Sequence, residues 1–154
     1  MVVYVLALLI GAVAGLRAMT APAAISWAAS LGFINLEGTW LAFLGYRFAP
    51  WIMTVLAIGE LIGDQLPTTP SRKTTLPFAT RIIVGGLCGG AIAAQSGSFL
   101  GGLVAGAVGG VLGTLGGAEG RARLAAAFGK DRPAALIEDA IAILGAALIV
   151  GAVP

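Results

Sequence analysis

Long apolar runs, interrupted by proline, by glycine clusters or by isolated charges, follow one another along most of the chain. The first covers residues 2–16 and ends at Arg17. A shorter apolar piece, residues 23–36, comes next and reads as a half-helix or an interfacial segment. Pro50 opens a third run, residues 50–66, and Pro67 closes it; proline suits the first turn of a helix and the position just past its end. Runs at 76–95, 99–117 and 133–153 complete the pattern. A helix crossing a bilayer needs about 20 apolar residues, fewer where it is broken. The pattern therefore predicts an all-α membrane protein, a polytopic bundle of about five transmembrane helices. The count stays open between four and six because residues 23–46 are ambiguous.

Composition agrees with lipid as the solvent. Of 154 residues, 58% are hydrophobic and 10% charged, whereas soluble domains carry roughly a quarter charged residues. The length suits one transmembrane domain, with a first half at about 1–75 and a second at about 76–154. The net charge of +2 does not point to nucleic acid, because the basic residues are not interleaved with aromatics. Histidine is absent and Cys88 is the single cysteine. An intrachain disulfide and a Cys/His metal site are thereby excluded, and no metal or cofactor is expected. The apolar residues 1–14 lack a basic leader, and cleavage near residues 21–24 would remove the partner of a later pattern, so the segment is expected to be retained.

The cations set orientation. Arg72, Lys73 and Arg81 flank one connection, and Arg121, Arg123, Lys130 and Arg132 another. Five crossings put both on one side, and the positive-inside rule then predicts a cytoplasmic N-terminus and an external C-terminus.

Two stretches resemble each other. Gly11-Ala12-Val13-Ala14-Gly15 matches Gly106-Ala107-Val108-Gly109-Gly110, and Ala28-Ala29-Ser30-Leu31-Gly32 resembles Ala125-Ala126-Ala127-Phe128-Gly129. Between the paired stretches lies a break. In the first half it is formed by Gly15, Thr20 and Pro22; in the second it falls within residues 113–123, at Gly116 and Gly117. Each half then continues into a run bearing acids. The expectation is an inverted repeat with broken helices, an arrangement that in transporters marks the substrate site.

Ionised groups inside apolar runs are costly and mark candidate chemistry. Glu60 and Asp64 share one helix face. They read either as an interfacial pair bound to Arg72, Lys73 or Arg81 that fixes register, or as part of a substrate or ion pathway. Arg17 either snorkels to the interface or reaches inward to a carboxylate such as Glu60 or to an anionic ligand. Thr20 and Pro22 beside it look like a helix start, whose free N–H groups favour negative charge. Glu138 and Asp139 read as interfacial residues suited to the helix dipole, or as the counterpart of Glu60. Glu119, Arg121 and Arg123 read as a solvated loop cluster. The G-x-x-x-G steps at Gly102, Gly106, Gly110, at Gly109, Gly113, Gly117 and at Gly59, Gly63 are packing devices. No nucleophile has a base beside it, so an enzyme is not expected.

The strings Gly15-Leu16-Arg17-Ala18-Met19-Thr20-Ala21-Pro22-Ala23 and Gly59-Glu60-Leu61-Ile62-Gly63-Asp64-Gln65-Leu66-Pro67-Thr68-Thr69-Pro70-Ser71-Arg72 are similar to those of a bacterial family known as domain of unknown function 4126. The likeness covers nearly the whole chain. It implies a small integral protein of the bacterial inner membrane and no particular substrate. The working expectation is a small transporter or channel-like protein that passes a small solute or ion between its halves, with Glu60 and Asp64 as gate or coupling acids and Arg17 as counter-charge. Its partners would be the lipid bilayer and a second copy bound through a glycine face. The rival is a membrane scaffold or assembly factor that packs through its glycine faces.

Overall fold

A computed structural model describes residues 1–66 and 74–154. The helix stop at Pro67 and the cations Arg72 and Lys73 lie outside the described residues. Among the described residues there are six α-helices, α1 (Val2–Leu16), α2 (Thr20–Ser30), α3 (Ala49–Gly63), α4 (Thr75–Ala94), α5 (Phe99–Phe128) and α6 (Asp131–Gly151), with a 3-10 turn at Trp40–Gly45 between α2 and α3. No strand occurs among the described residues. Helices α4, α5 and α6 are long and apolar enough to cross a membrane; α1 and α3 are apolar but shorter.

The core is a three-helix unit of α1, α4 and α5, and glycine makes it possible. Gly11, Gly85 and Gly106 meet where the three backbones approach, and a methyl group added to Gly85 would lie 2.8 Å from the Gly106 carbonyl oxygen. Gly89 packs on Gly102 and Gly106, and Gly109 and Gly113 on the backbone of Leu8 and Ala12. Without side chains between them, backbones in lipid gain close dispersion contacts. Gly102, Gly106 and Gly110, read as packing devices, are buried within one chain.

Chain direction follows from the pairings. Tyr4 lies against Gly101, Gly11 against Gly106, and Gly15 against Gly110, so α1 and α5 run parallel. Helix α4 is antiparallel to both: Gly90 meets Phe99 and Arg81 meets Gly110. Helix α2 turns back after Arg17, and the backbone of Asn35 beyond it reaches the Gln95 side chain at the α4–α5 turn. The glycine-matched stretches of α1 and α5 therefore share one direction and are not inverted.

Two further expectations change. The break at Gly116 and Gly117 is absent, because α5 runs unbroken for 30 residues, about 45 Å at 1.5 Å per residue. Glycine in a helix interior costs roughly 0.5–1 kcal/mol without forcing a break. The N-terminus also changes place. Because α2 returns, Met1 sits at the end of the bundle shared with the α4–α5 turn, opposite Arg121 and Arg132. Five crossings, with residues 23–36 as a half-helix or interfacial segment, would place it on the basic side.

Helix α3 is peripheral. It packs on α2 and the 3-10 turn, and only Pro50 and Ala57 are buried on it.

Candidate polar site at a helix break

At Arg17 the backbone leaves helical geometry for one extended residue, φ −139° and ψ 107°, and α2 begins three residues later. Such a break leaves the last carbonyls of α1 and the first N–H groups of α2 without helical partners. Charged side chains satisfy both. Arg81 of α4 donates from Nη1 to the Gly15 carbonyl at 2.9 Å and to the Leu16 carbonyl at 2.8 Å. The Glu60 carboxylate of α3 accepts from the Ala18 N–H at 2.8 Å and the Met19 N–H at 2.7 Å. Cation meets helix C-terminus and anion meets helix N-terminus, as the macrodipoles favour. The two side chains also pair, with Arg81 Nη2 3.4 Å from Glu60 Oε1.

Arg17 sits between these elements, wholly buried. Its Nε donates to Asp139 Oδ1 of α6 at 2.6 Å, and its Nη1 donates to Asp64 Oδ2 at the end of α3. Nη2 lies beside Asp139 and 3.6 Å from Glu138 Oε2, close enough for ion pairing but off the line of a hydrogen bond. Arg121 of α5 closes the far side. It forks onto Asp131, with Nε–Oδ1 at 2.9 Å and Nη2–Oδ2 at 2.6 Å. Its Nη1 also lies 3.5 Å from Glu138 and 3.7 Å from Asp64. Thr114 of α5 donates to the Gly110 carbonyl at 2.7 Å and approaches the Gly15 carbonyl at 3.4 Å.

All five charged residues singled out in the sequence, Arg17, Glu60, Asp64, Glu138 and Asp139, converge here. Arg17 does not snorkel. It points inward, and its partners are Asp64 and Asp139 rather than Glu60. Glu138 and Asp139 are buried, and face the break instead of the interface. Gly15 and Thr20 flank the break, and the buried Pro22 lies in the first turn of α2; Gly116 and Gly117 belong to the continuous α5.

Sequence reasoning missed Arg121 as a member. The sequence groups it with Glu119 and Arg123 as a solvated loop cluster, and those two do form an exposed i,i+4 pair at 2.9 Å. Because α5 continues as a helix, Arg121 falls on another face and turns to the bundle. Arg81 appeared only as a possible partner; a cation six residues into a 20-residue apolar helix was its signal. Thr114, fully buried, carried no signal beyond being a hydroxyl in a glycine run.

A family model described as "Domain of unknown function (DUF4126)" matches residues 4–153. The chain belongs to this family. The DUF4126 match takes in every residue of the charge cluster and all of the helices but the first two residues of α1. Comparison with curated proteins and with solved structures gives no match.

Proposed function

We propose that this chain is a small transporter or channel-like protein whose polar path passes through the break between α1 and α2, held closed by the Arg17 ion pairs. The observation that carries this reading is Arg17 itself. A guanidinium without exposed surface, held by carboxylates from two different helices at a point where a third is interrupted, is an expensive way to pack a bundle. Buried ion pairs contribute little net stability compared with well-packed apolar residues, and ionisable groups at membrane depth mark solute or proton pathways. Opening requires only that α3 or α6 shift enough to exchange these pairs for a solute or water.

Proteoliposomes loaded with a pH-sensitive dye, and challenged in turn with proton, potassium and chloride gradients, test this. The reading expects one gradient to dissipate, and Glu60→Gln to abolish that flux without loss of folded protein. A wild-type chain that passes none of the three, or a Glu60→Gln variant that passes the same flux, overturns it.

Placing the basic end in the cytoplasm by the positive-inside rule puts both termini on the outer face. Reporters fused to either terminus are then expected to report the same side, and a reporter inserted at Gly129 the other. Opposite signals from the two termini would contradict the returning α2.

One observation favours the scaffold reading. Gly59 on α3 has nothing within 4 Å of its missing side chain, and Ile52, Val55, Leu56 and Ile62 around it are exposed. That small-residue face remains for another helix, whether from a second copy or from another protein.

A further inference from the structure

After α2 the chain reaches the end of the bundle opposite Arg121, where the Asn35 N–H donates to the Gln95 side chain at 3.4 Å. It does not stay there. Gly38, with φ 78° in the left-handed region, reverses it, and the Thr39 hydroxyl ties the reversal to the Leu36 carbonyl at 2.8 Å. The 3-10 turn Trp40–Gly45 then runs back into the bundle. The Leu44 carbonyl accepts from the Ser26 hydroxyl of α2. Leu41 and Leu44 line an apolar cleft together with Met19 and Pro22 beside the helix break and with Val84 and Cys88 of α4. Cys88 lies six residues before Ala94, the last of α4, which is about 9 Å at 1.5 Å per residue. The turn is therefore re-entrant.

In 3-10 geometry side chains three apart eclipse one another, so the turn sorts its residues into rows. Leu41 and Leu44 are buried in the core. Trp40 and Phe43 are exposed along the apolar cleft, the surface that lipid covers. Ala42 and Gly45 line a separate cavity of about 360 Å³, shared with the polar side chains of Asn35, Glu37 and Tyr46. Irregular backbone at membrane depth is tolerated only where protein buries it or where it lines a water-filled space. Water needs polar partners and only about 10–15 Å³ of such volume, and this cavity supplies both.

We propose that residues 35–46 form a re-entrant loop whose Ala42 and Gly45 line a water-filled vestibule at the outer face, and that Leu41 and Leu44 are the apolar seal between this water and the charge cluster. The seal is thin. Gly45 lines the vestibule, whereas Leu44 next to it lines the cleft at Met19, whose N–H holds Glu60. A hydrophobic constriction of this kind closes a pore by excluding water. The seal takes its use from the transport path proposed above; the vestibule does not depend on it.

Single cysteines placed in the full chain carrying Cys88→Ala test both parts in nanodiscs, with a charged methanethiosulfonate that does not enter hydrocarbon. Each variant is first shown to elute as one species with the helical circular dichroism of the wild type. Ala42→Cys and Gly45→Cys are expected to react at least about tenfold faster than Leu41→Cys, Phe43→Cys and Leu44→Cys, because apolar surroundings keep a thiol from ionising. The Gly45 variant has room, since an added Cβ meets only Ala29, at 3.4 Å or more. Uniform reaction along the turn, or protection at both 42 and 45, overturns the vestibule. Thr20→Cys, at a position 7% exposed beside the break, is expected to be protected and to react once Leu44→Ala is added. Leu6→Ala, which truncates an equally buried leucine of α1, is expected to leave it protected. Protection that survives Leu44→Ala, or that Leu6→Ala also removes, overturns the seal. A chain that passes no ion yet shows the expected pattern keeps vestibule and seal and loses the transport reading. One that passes an ion with a uniform pattern keeps transport and loses both.

Discussion

Replacing Arg17 by alanine is expected to destabilise the bundle more than any other single truncation of a charged residue. The substitution leaves Asp139 and Asp64 without the guanidinium that Nε and Nη1 provide, and takes an ion-pair partner from Glu138. Breaking a buried pair from one side costs about 3–5 kcal/mol, here chiefly at Asp139, since Arg121 still faces Asp64 and Glu138. In a domain of this length that is a fall of roughly 6–20 °C in melting temperature. Heating with a thiol-reactive dye reads it directly, since Cys88 is covered until the helices separate. Arg17→Lys keeps the charge but loses the fork that serves two acids at once, and should fall between the two. Adding Asp139→Asn to Arg17→Ala removes one stranded charge and should recover part of the loss. An Arg17→Ala protein that melts with the wild type would show that the ion-pair centre is not formed in the membrane.

The second large effect concerns glycines of opposite sign. Gly106 touches the Gly85 carbonyl and lies against the Gly89 backbone; a methyl group there must push α4 and α5 apart along their whole contact. Gly106→Ala is expected to cost about 1–3 kcal/mol or more, and Gly106→Leu to prevent assembly. Gly116, on the same helix, meets nothing within 4 Å. There Gly116→Ala removes only the entropic handicap of glycine and should raise stability by about 0.5–1 kcal/mol. The same Cys88 melt separates the two, and equal effects at both positions would contradict the three-helix core.

Much of this was legible in the sequence for identifiable reasons. Apolar runs end where proline or an isolated charge makes continuation costly, so the starts of α1, α3, α4 and α5 fall within a residue of expectation. The charges at Arg17, Glu60, Asp64, Glu138 and Asp139 were legible as a group because each interrupts or borders an apolar run, where a charge without a partner is unaffordable. Which acid met which cation was not legible, because that depends on helix rotation and on the return of α2, which short-range patterns do not encode. The glycine clusters misled in two ways. At Gly116 and Gly117 they imitated a break, although backbone hydrogen bonding carries a helix through isolated glycines in an apolar setting. At Gly102, Gly106 and Gly110 they signalled close packing correctly but left open whether the partner helix belonged to the same chain.

The partners of α1 also impose an order of events during synthesis. Gly11 finds Gly85 and Gly106 only when residues far downstream have left the ribosome. At about 5–20 residues per second, the interval between Gly11 and Gly106 is roughly 5–19 s. Throughout it, a 15-residue helix ending in an arginine must wait at or near the bilayer with its glycine face uncovered. Sequestration of that face by the insertion machinery or by a chaperone would give the nascent chain time to finish.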